Sequence, residues 1–107
     1  MYSILIPTYK ERENIPIAIY LIYKHLIPEK INFEIVIVED NSPDGTLLVI
    51  QAMQKFYKDD RIKILSRAGK LGLGTAYIDG LKICSGDFVF IMDADLSHNV
   101  SIYDNIV

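Results

Sequence analysis

Cysteine pairs, excess positive charge, membrane-length apolar runs and linker-like sequence are all missing from this chain, and each absence removes a class of protein. The single cysteine, Cys84, has no partner for an internal disulfide, and no cluster of zinc-binding residues accompanies it, which fits a reducing compartment. Eleven Lys and Arg stand against fourteen Asp and Glu, a formal net charge of -3, so no basic footprint points to nucleic acid. The longest apolar stretch, Ile15 to Ile27, is interrupted by Lys24 and His25 and falls short of the ~20 residues that span a bilayer. It reads as a core helix. The amino terminus opens on the strand-like run Tyr2 to Ile6, without the basic, apolar and small-residue sections of a signal peptide. A cytosol-facing protein is therefore expected, and the acceptor-like triplet Asn99-Val100-Ser101 would matter only in a lumenal chain. No repeat or low-complexity segment appears.

What the chain does have is apolar bulk. Half of its 107 residues are hydrophobic, enough for one compact domain and too few for two. Four runs of strand length, Tyr2 to Ile6, Glu34 to Val38, Ile62 to Leu65 and Phe88 to Met92, are rich in Ile, Val and Phe. Between the first two, Ile15, Ala18, Ile19, Ile22, Tyr23 and Leu26 recur at three- and four-residue steps after Asn14 and Pro16. Val49, Ala52, Met53, Phe56 and Tyr57 repeat the pattern behind the capping candidate Asp44, and Leu73, Ala76, Tyr77, Gly80, Leu81 and Cys84 do so again before a stop at Gly86.

Strands alternating with helices imply an α/β domain with a mostly parallel sheet covered on both faces. The unbroken apolar runs Ile35 to Val38 and Phe88 to Met92 suggest strands buried on both sides. No terminating signal precedes Val107, so residues 1–107 are expected to be the first part of a longer domain.

In such sheets ligands bind beyond the carboxyl ends of the strands. Three polar clusters follow strands here: Pro7 to Glu11, Glu39 to Gly45, and Asp93 to His98. Asp93 and Asp95 leave a buried strand with only Ala94 between them, an anionic pair that invites a hard divalent cation, Mg²⁺ or Mn²⁺, which takes one or two carboxylates plus substrate phosphates. Asp40 ends the second strand, where a carboxylate accepts hydrogen bonds from a base or ribose. Tyr9 offers a ring to the base and Glu11 a carboxylate to ribose hydroxyls; the plainer alternative is that both are satisfied locally. Pro43, Asp44 and Gly45 read as a turn and helix cap. Ser97 offers an oxygen to the cation, and His98 either approaches the phosphates or faces water. Arg67 and Lys70 stand in a glycine-containing loop, either gripping phosphate or simply solvated. Gly72 and Gly74 do not make a dinucleotide fingerprint, because Tyr77 stands where the third glycine belongs, and no phosphate-loop motif G-x-x-x-x-G-K-[ST] is present.

Taken in order, the blocks Ile4 to Asn14, Glu39 to Thr46, Leu71 to Tyr77 and Met92 to His98 closely resemble the dolichyl-phosphate mannosyltransferases, inverting GT-A glycosyltransferases of family 2. The resemblance runs over essentially the whole chain. It implies transfer of mannose from GDP-mannose to dolichyl phosphate, giving dolichyl β-D-mannosyl phosphate for protein glycosylation and GPI-anchor synthesis. By the family's pattern Pro7, Tyr9, Glu11, Val38 and Asp40 would line the guanosine site, with Asp93, Ala94 and Asp95 at the diphosphate and metal, Asp93 and Asp95 being the catalytic pair. Ser97 departs from the pattern, since relatives often carry Gln there as a metal ligand. An anionic phosphate acceptor needs no strong base, so the enzyme's work would be positioning and charge stabilisation. The family's basic phosphate-gripping residues lie further along, so these 107 residues alone are expected to bind nucleotide weakly and not to turn over. The lipid acceptor would place the enzyme at the cytosolic face of the endoplasmic reticulum membrane, held there by an anchor segment or by small membrane-embedded subunits. Rival readings are a related transferase such as a dolichyl-phosphate glucosyltransferase, or a non-catalytic binding module.

Overall fold

The computed structural model describes residues 1–68 and 73–94. Strand β1 (Tyr2–Thr8) leads to helix α1 (Ile15–Leu26), then β2 (Phe33–Glu39), α2 (Thr46–Tyr57), β3 (Ile62–Ser66), α3 (Leu73–Ile83) and β4 (Phe88–Ile91). The four strands form one sheet in the order β3-β2-β1-β4, and every pairing is parallel. The chain thus moves outward from β1 to β3 and then crosses back to lay β4 on the other side of β1. That reversal beside β1 is the place where open sheets of this kind form their ligand crevice.

Side-chain alternation divides the core into two layers. Ile4, Ile6, Ile35, Ile37 and Ile62 pack with Ile15, Ile19 and Ile22 of α1 and Ile50 of α2, while Leu5, Val36 and Val38 pack on the opposite face with Ala76 of α3. The α1 stripe read from the sequence is the buried set of that helix: Ile15, Ala18, Ile19, Ile22, Tyr23 and Leu26. Tyr23 also donates to Asp59 Oδ1 at 2.8 Å and stacks on Tyr57 with ring centroids 3.8 Å apart.

Two expectations need correction. Helix α2 keeps only part of its predicted face: Val49, Met53 and Tyr57 pack against the core, while Ala52 and Phe56 do not. Thr46 and Ile50 are its fully buried residues, Ala52 is exposed, and Phe56 is 68% exposed, set edge-on against the outside of Tyr57. Strand β4 is not buried on both sides. Among the described residues it is the sheet's edge, and Phe88 and Ile91 are 63% and 44% exposed.

Two glycines hold α3 and β4 close to the rest. A methyl group on Gly80 would collide with Leu5 Cδ1 and come within 3.0 Å of Val38 Cγ2, so the bare backbone lets α3 sit directly on β1 and β2. At Gly86 the obstruction is backbone, with Ser3 N at 2.7 Å and Met1 O at 2.8 Å from the position a Cβ would take. Helix α3 itself ends earlier, at Ile83. No described helix is long and apolar enough to cross a membrane.

Candidate functional site

The parallel register sets what meets at the carboxyl rim. Thr8 pairs with Glu39 and Glu39 with Ser66, and the ladder continues for one bond on each side, Asp40 N donating to Thr8 O at 3.2 Å and Arg67 N to Glu39 O at 2.8 Å. On the other flank Leu5 pairs with Ile91, and Met92 N donates to Leu5 O at 3.1 Å. Continuing that register brings Asp93 level with Pro7. Alternation from Val36 and Val38 puts Asp40 on the α3 face of the sheet, and alternation from Val89 puts Asp93 on the same face. Asp40 and Asp93 therefore flank β1 on one side of the sheet, two strand spacings across and two residues along, about 12 Å apart.

The loops after the strands are tied to one another. Glu39, buried, accepts from the backbone N–H of Ser42 at 3.2 Å and from its hydroxyl, and Ser42 Oγ in turn accepts from Lys10 N at 2.9 Å. Asn41 Nδ2 donates to Ala68 O at 3.0 Å, and Thr8 Oγ1 to Val38 O at 3.2 Å. Lys10 and Asn41 both hold left-handed backbone, φ 58° and 53°, a conformation that costs a side-chain-bearing residue energy and recurs around binding sites. Asp44 Oδ1 accepts from Thr46 N at 3.1 Å and Thr46 Oγ1 at 2.5 Å, as the capping reading expects, although Gly45, at φ 87°, occupies the cap position itself. The Thr46 hydroxyl holds the half-buried Asp44 carboxyl below its ordinary range.

Asp40 is not an open carboxylate. Arg67 grips it with two parallel bonds, Nε to Oδ1 at 2.6 Å and Nη2 to Oδ2 at 2.7 Å, and both side chains are more than nine-tenths buried. The third nitrogen of the guanidinium, Nη1, donates to Thr75 Oγ1 at 2.9 Å and to Asp79 Oδ2 at 3.2 Å on α3. Hydrogen bonding to Asp40 raises the Arg67 pKa above its already high value, so the cation is permanent. Neither alternative read from the sequence for Arg67 describes this position. It is neither solvated nor held out towards a phosphate.

The remaining expected residues are arranged as follows. Pro7 and Tyr9 are half-buried at the end of β1, with Lys10 Nζ 5.4 Å from the Tyr9 ring centre. Glu11 Oε2 accepts from Asn14 Nδ2 at 3.0 Å, the local partnership foreseen as its alternative. Val38 is fully buried under α3, and Ala94 is buried in the α1 layer, so neither presents a side chain outward. Asp93 is half-buried just beyond β4. Asp95, Ser97, His98 and Lys70 lie outside the described residues. Among the described residues no three His, Cys, Asp or Glu side chains gather as a metal cage. One hard carboxylate at the rim still suits Mg²⁺ or Mn²⁺, which completes its shell with waters and phosphate oxygens rather than with protein alone.

Residues 3–102 match the family Glycosyl transferase family 2. The chain belongs to that family. Among its curated family 2 relatives, the dolichol-phosphate mannosyltransferase of Pyrococcus furiosus is 38% identical over 98% of this chain and 28% of its own length. The polyprenol monophosphomannose synthase of Mycolicibacterium smegmatis is 38% identical over 89% and 35%, and the dolichol-phosphate mannosyltransferase of Saccharomyces cerevisiae 31% identical over 91% and 36%. The chain thus spans about a third of the length of these relatives. Among solved structures, the mannosyltransferase PcManGT of Pyrobaculum calidifontis, in complex with GDP-Man and Mn²⁺, superposes with a TM-score of 0.84 at 23% identity, over 98% of this chain and 31% of that one. TarS of S. aureus in complex with UDP-GlcNAc superposes with a TM-score of 0.76 at 27% identity, over 98% and 30%. The GT-A-like fold expected from the sequence is therefore the fold of this family 2 domain.

Proposed function

We propose that this domain binds the donor of an inverting mannosyl transfer, holding GDP-mannose at the rim between β2 and β4 and delivering mannose to dolichyl phosphate. The observation that carries the reading is the common placement of Asp40 and Asp93 on the α3 face, either side of β1 at the switch in strand order. Relatives named dolichol-phosphate mannosyltransferase support mannose as the sugar, and the GDP-Man complex of PcManGT supports guanosine diphosphate and a divalent ion.

In this reading Asp40 accepts donors of the nucleoside, the half-buried ring of Tyr9 packs on the base, and Glu11 uses the oxygen not held by Asn14 on a ribose hydroxyl. Pro7 forms the floor beneath them, and Val38, whose side chain is fully buried, offers only backbone there. Asp93 and Asp95 would hold Mg²⁺ or Mn²⁺ beside the diphosphate, with Ala94 keeping the turn between them small. When bound, the ion supplies charge stabilisation for the departing nucleoside diphosphate. The acceptor phosphate is itself an anion, so the residues here orient rather than deprotonate. Dolichyl phosphate as acceptor implies work at a membrane surface, the cytosolic face of the endoplasmic reticulum, with an anchor segment or small membrane subunits as partners.

Calorimetry on the full-length protein with GDP-mannose, UDP-glucose and GDP, with and without Mn²⁺, tests the reading. GDP-mannose should bind tightest, Mn²⁺ should strengthen GDP binding, and Asp93→Ala should abolish that gain together with transfer. Tighter binding of UDP-glucose would move the protein to another family 2 activity, the direction in which the likeness to TarS points. Indifference to Mn²⁺ and to Asp93→Ala would leave only a binding module.

A further inference from the structure

The nucleoside reading leaves Glu39 without a task. It is 1% exposed and stands at the rim, but alternation from Ile35 and Ile37 turns its side chain to the α1 face of the sheet, away from Asp40 and Asp93. It cannot touch a ligand held between those two. What it does touch is Ser42. Both carboxyl oxygens accept from the Ser42 N–H, at 3.3 and 3.2 Å, and Oε1 also accepts from the Ser42 hydroxyl. A hydroxyl has one proton, so once that proton is committed to Glu39 the Ser42 oxygen can meet another neighbour only as an acceptor. That neighbour is Lys10, whose N–H donates to it at 2.9 Å from 32 residues away in sequence. The N–H belongs to the peptide joining Tyr9 to Lys10, and the bond fixes the plane of that peptide where Lys10 holds its left-handed φ of 58°. The far end of the same loop is anchored by α1, Glu11 O accepting from Asn14 N at 3.1 Å and Ile15 N at 2.9 Å. Between the two loops Arg12 adds only a longer, exposed bond, Nη1 to Asp44 O at 3.4 Å.

We propose that Glu39 is a positioning residue for the donor: by taking the proton of Ser42 it holds the Tyr9–Lys10 peptide, and so sets Tyr9 and Glu11 against the nucleoside. The inference rests on the nucleotide reading above.

The test is a mutant cycle in the full-length protein: wild type, Glu39→Gln, Ser42→Ala, the double variant and Ser42→Thr, with GDP affinity read by calorimetry and the KM and kcat for GDP-mannose by transfer assay. Glutamine keeps the volume, but its amide N–H can donate to Ser42 Oγ, which reverses the bond and competes with Lys10. Glu39→Gln should lower GDP affinity about fivefold, the worth of one hydrogen bond. The KM for GDP-mannose should rise to match while kcat stays within about twofold of wild type, because the loop positions the nucleoside and not the reacting atoms. Since both residues act in one chain of bonds, the double variant should bind GDP no more weakly than Ser42→Ala alone. Ser42→Thr, which keeps the hydroxyl, should bind it as wild type does. If the two losses add, Glu39 acts by another route, and if Glu39→Gln melts earlier with GDP affinity intact, it serves the fold alone; either result overturns the inference. If wild type itself does not bind GDP, the nucleotide reading fails first and this one with it.

Discussion

Buried carboxylates lie at both ends of the sheet, and two of them, Glu34 and Asp40, are treated differently. At the amino end Glu34 is closed off by groups that belong to the fold. Ser3 Oγ donates to it at 2.5 Å, the backbone N–H of Ser85 at 2.6 Å and Lys63 Nζ at 2.6 Å, while Ser3 Oγ accepts from Gly86 N and Lys63 also reaches Ser85 Oγ. Burial opposes its ionisation, yet the hydrogen bonds from Lys63, Ser3 and Ser85 outweigh burial and hold its pKa below the ordinary value. At the carboxyl end Asp40 is paired, among the described residues, with the Arg67 cation, and that cation is shared with α3. The lesson lies in the partners. Glu34 stitches β1, β2, β3 and the entry to β4 together and has little left to offer, whereas Asp40 keeps acceptor capacity at a rim built of loops.

The contrast can be broken most severely at Glu34. Replacing it with Ala strands the Ser85 N–H and the Ser3 hydroxyl, and should lower unfolding free energy by about 3 kcal/mol in urea titrations. Nucleotide affinity of the folded fraction should stay within about twofold of wild type. A change in affinity as large as the change in stability would show that the two ends are not separate.

Gly86→Ala, which sets a methyl against the Ser3 and Met1 backbone, should cost about 2 kcal/mol in the same assay and again spare nucleotide binding. Ser42→Ala reverses the pattern. It removes one donor from Glu39 and the acceptor of Lys10 N, so it should cost about 1 kcal/mol of stability but loosen the left-handed loops and reduce nucleotide affinity severalfold. The smallest effect is in acid. A carboxyl whose folded pKa is depressed contributes stability that is complete above its unfolded value and is lost as pH falls through the folded one. The stability gap between wild type and Glu34→Gln should therefore be steady above the ordinary value of 4.5 and narrow below it. A gap that widens on acidification would contradict a depressed pKa at Glu34.

Much of the architecture was legible because it rests on periodicity. The α1 stripe, the four strands and the parallel sheet all follow from spacing that a buried helix face or a two-sided strand imposes. Phe56 misled because helical spacing cannot distinguish a ring that faces the sheet from one that leans on Tyr57 from outside. The run Phe88 to Met92 misled because apolar content implies cover without saying which part of a chain provides it. Arg67 is the instructive miss. It lies 27 residues from Asp40, beyond any local rule, and yet the pairing of Glu39 with Ser66 places the two at the very next rung. Once β2 and β3 are taken as parallel neighbours, a ladder drawn one step past its last pair would have found the ion pair. The reading of Asp93 and Asp95 as a metal-binding pair rests on the sequence, with Asp95 outside the described residues.

Gly80 acts on the rim without touching it. A glycine inside a helix lowers intrinsic helicity by roughly 1 kcal/mol relative to alanine, yet here it is what allows Leu5 and Val38 to touch the α3 backbone. Its neighbour Asp79 is the carboxylate that meets Arg67, so the thickness of one side chain at position 80 governs how far that carboxylate stands from the sheet. The site's tuning dial is thus a residue with nothing to tune but distance. Enlarging it would displace Asp79 and, through Arg67, the carboxylate of Asp40 at the rim.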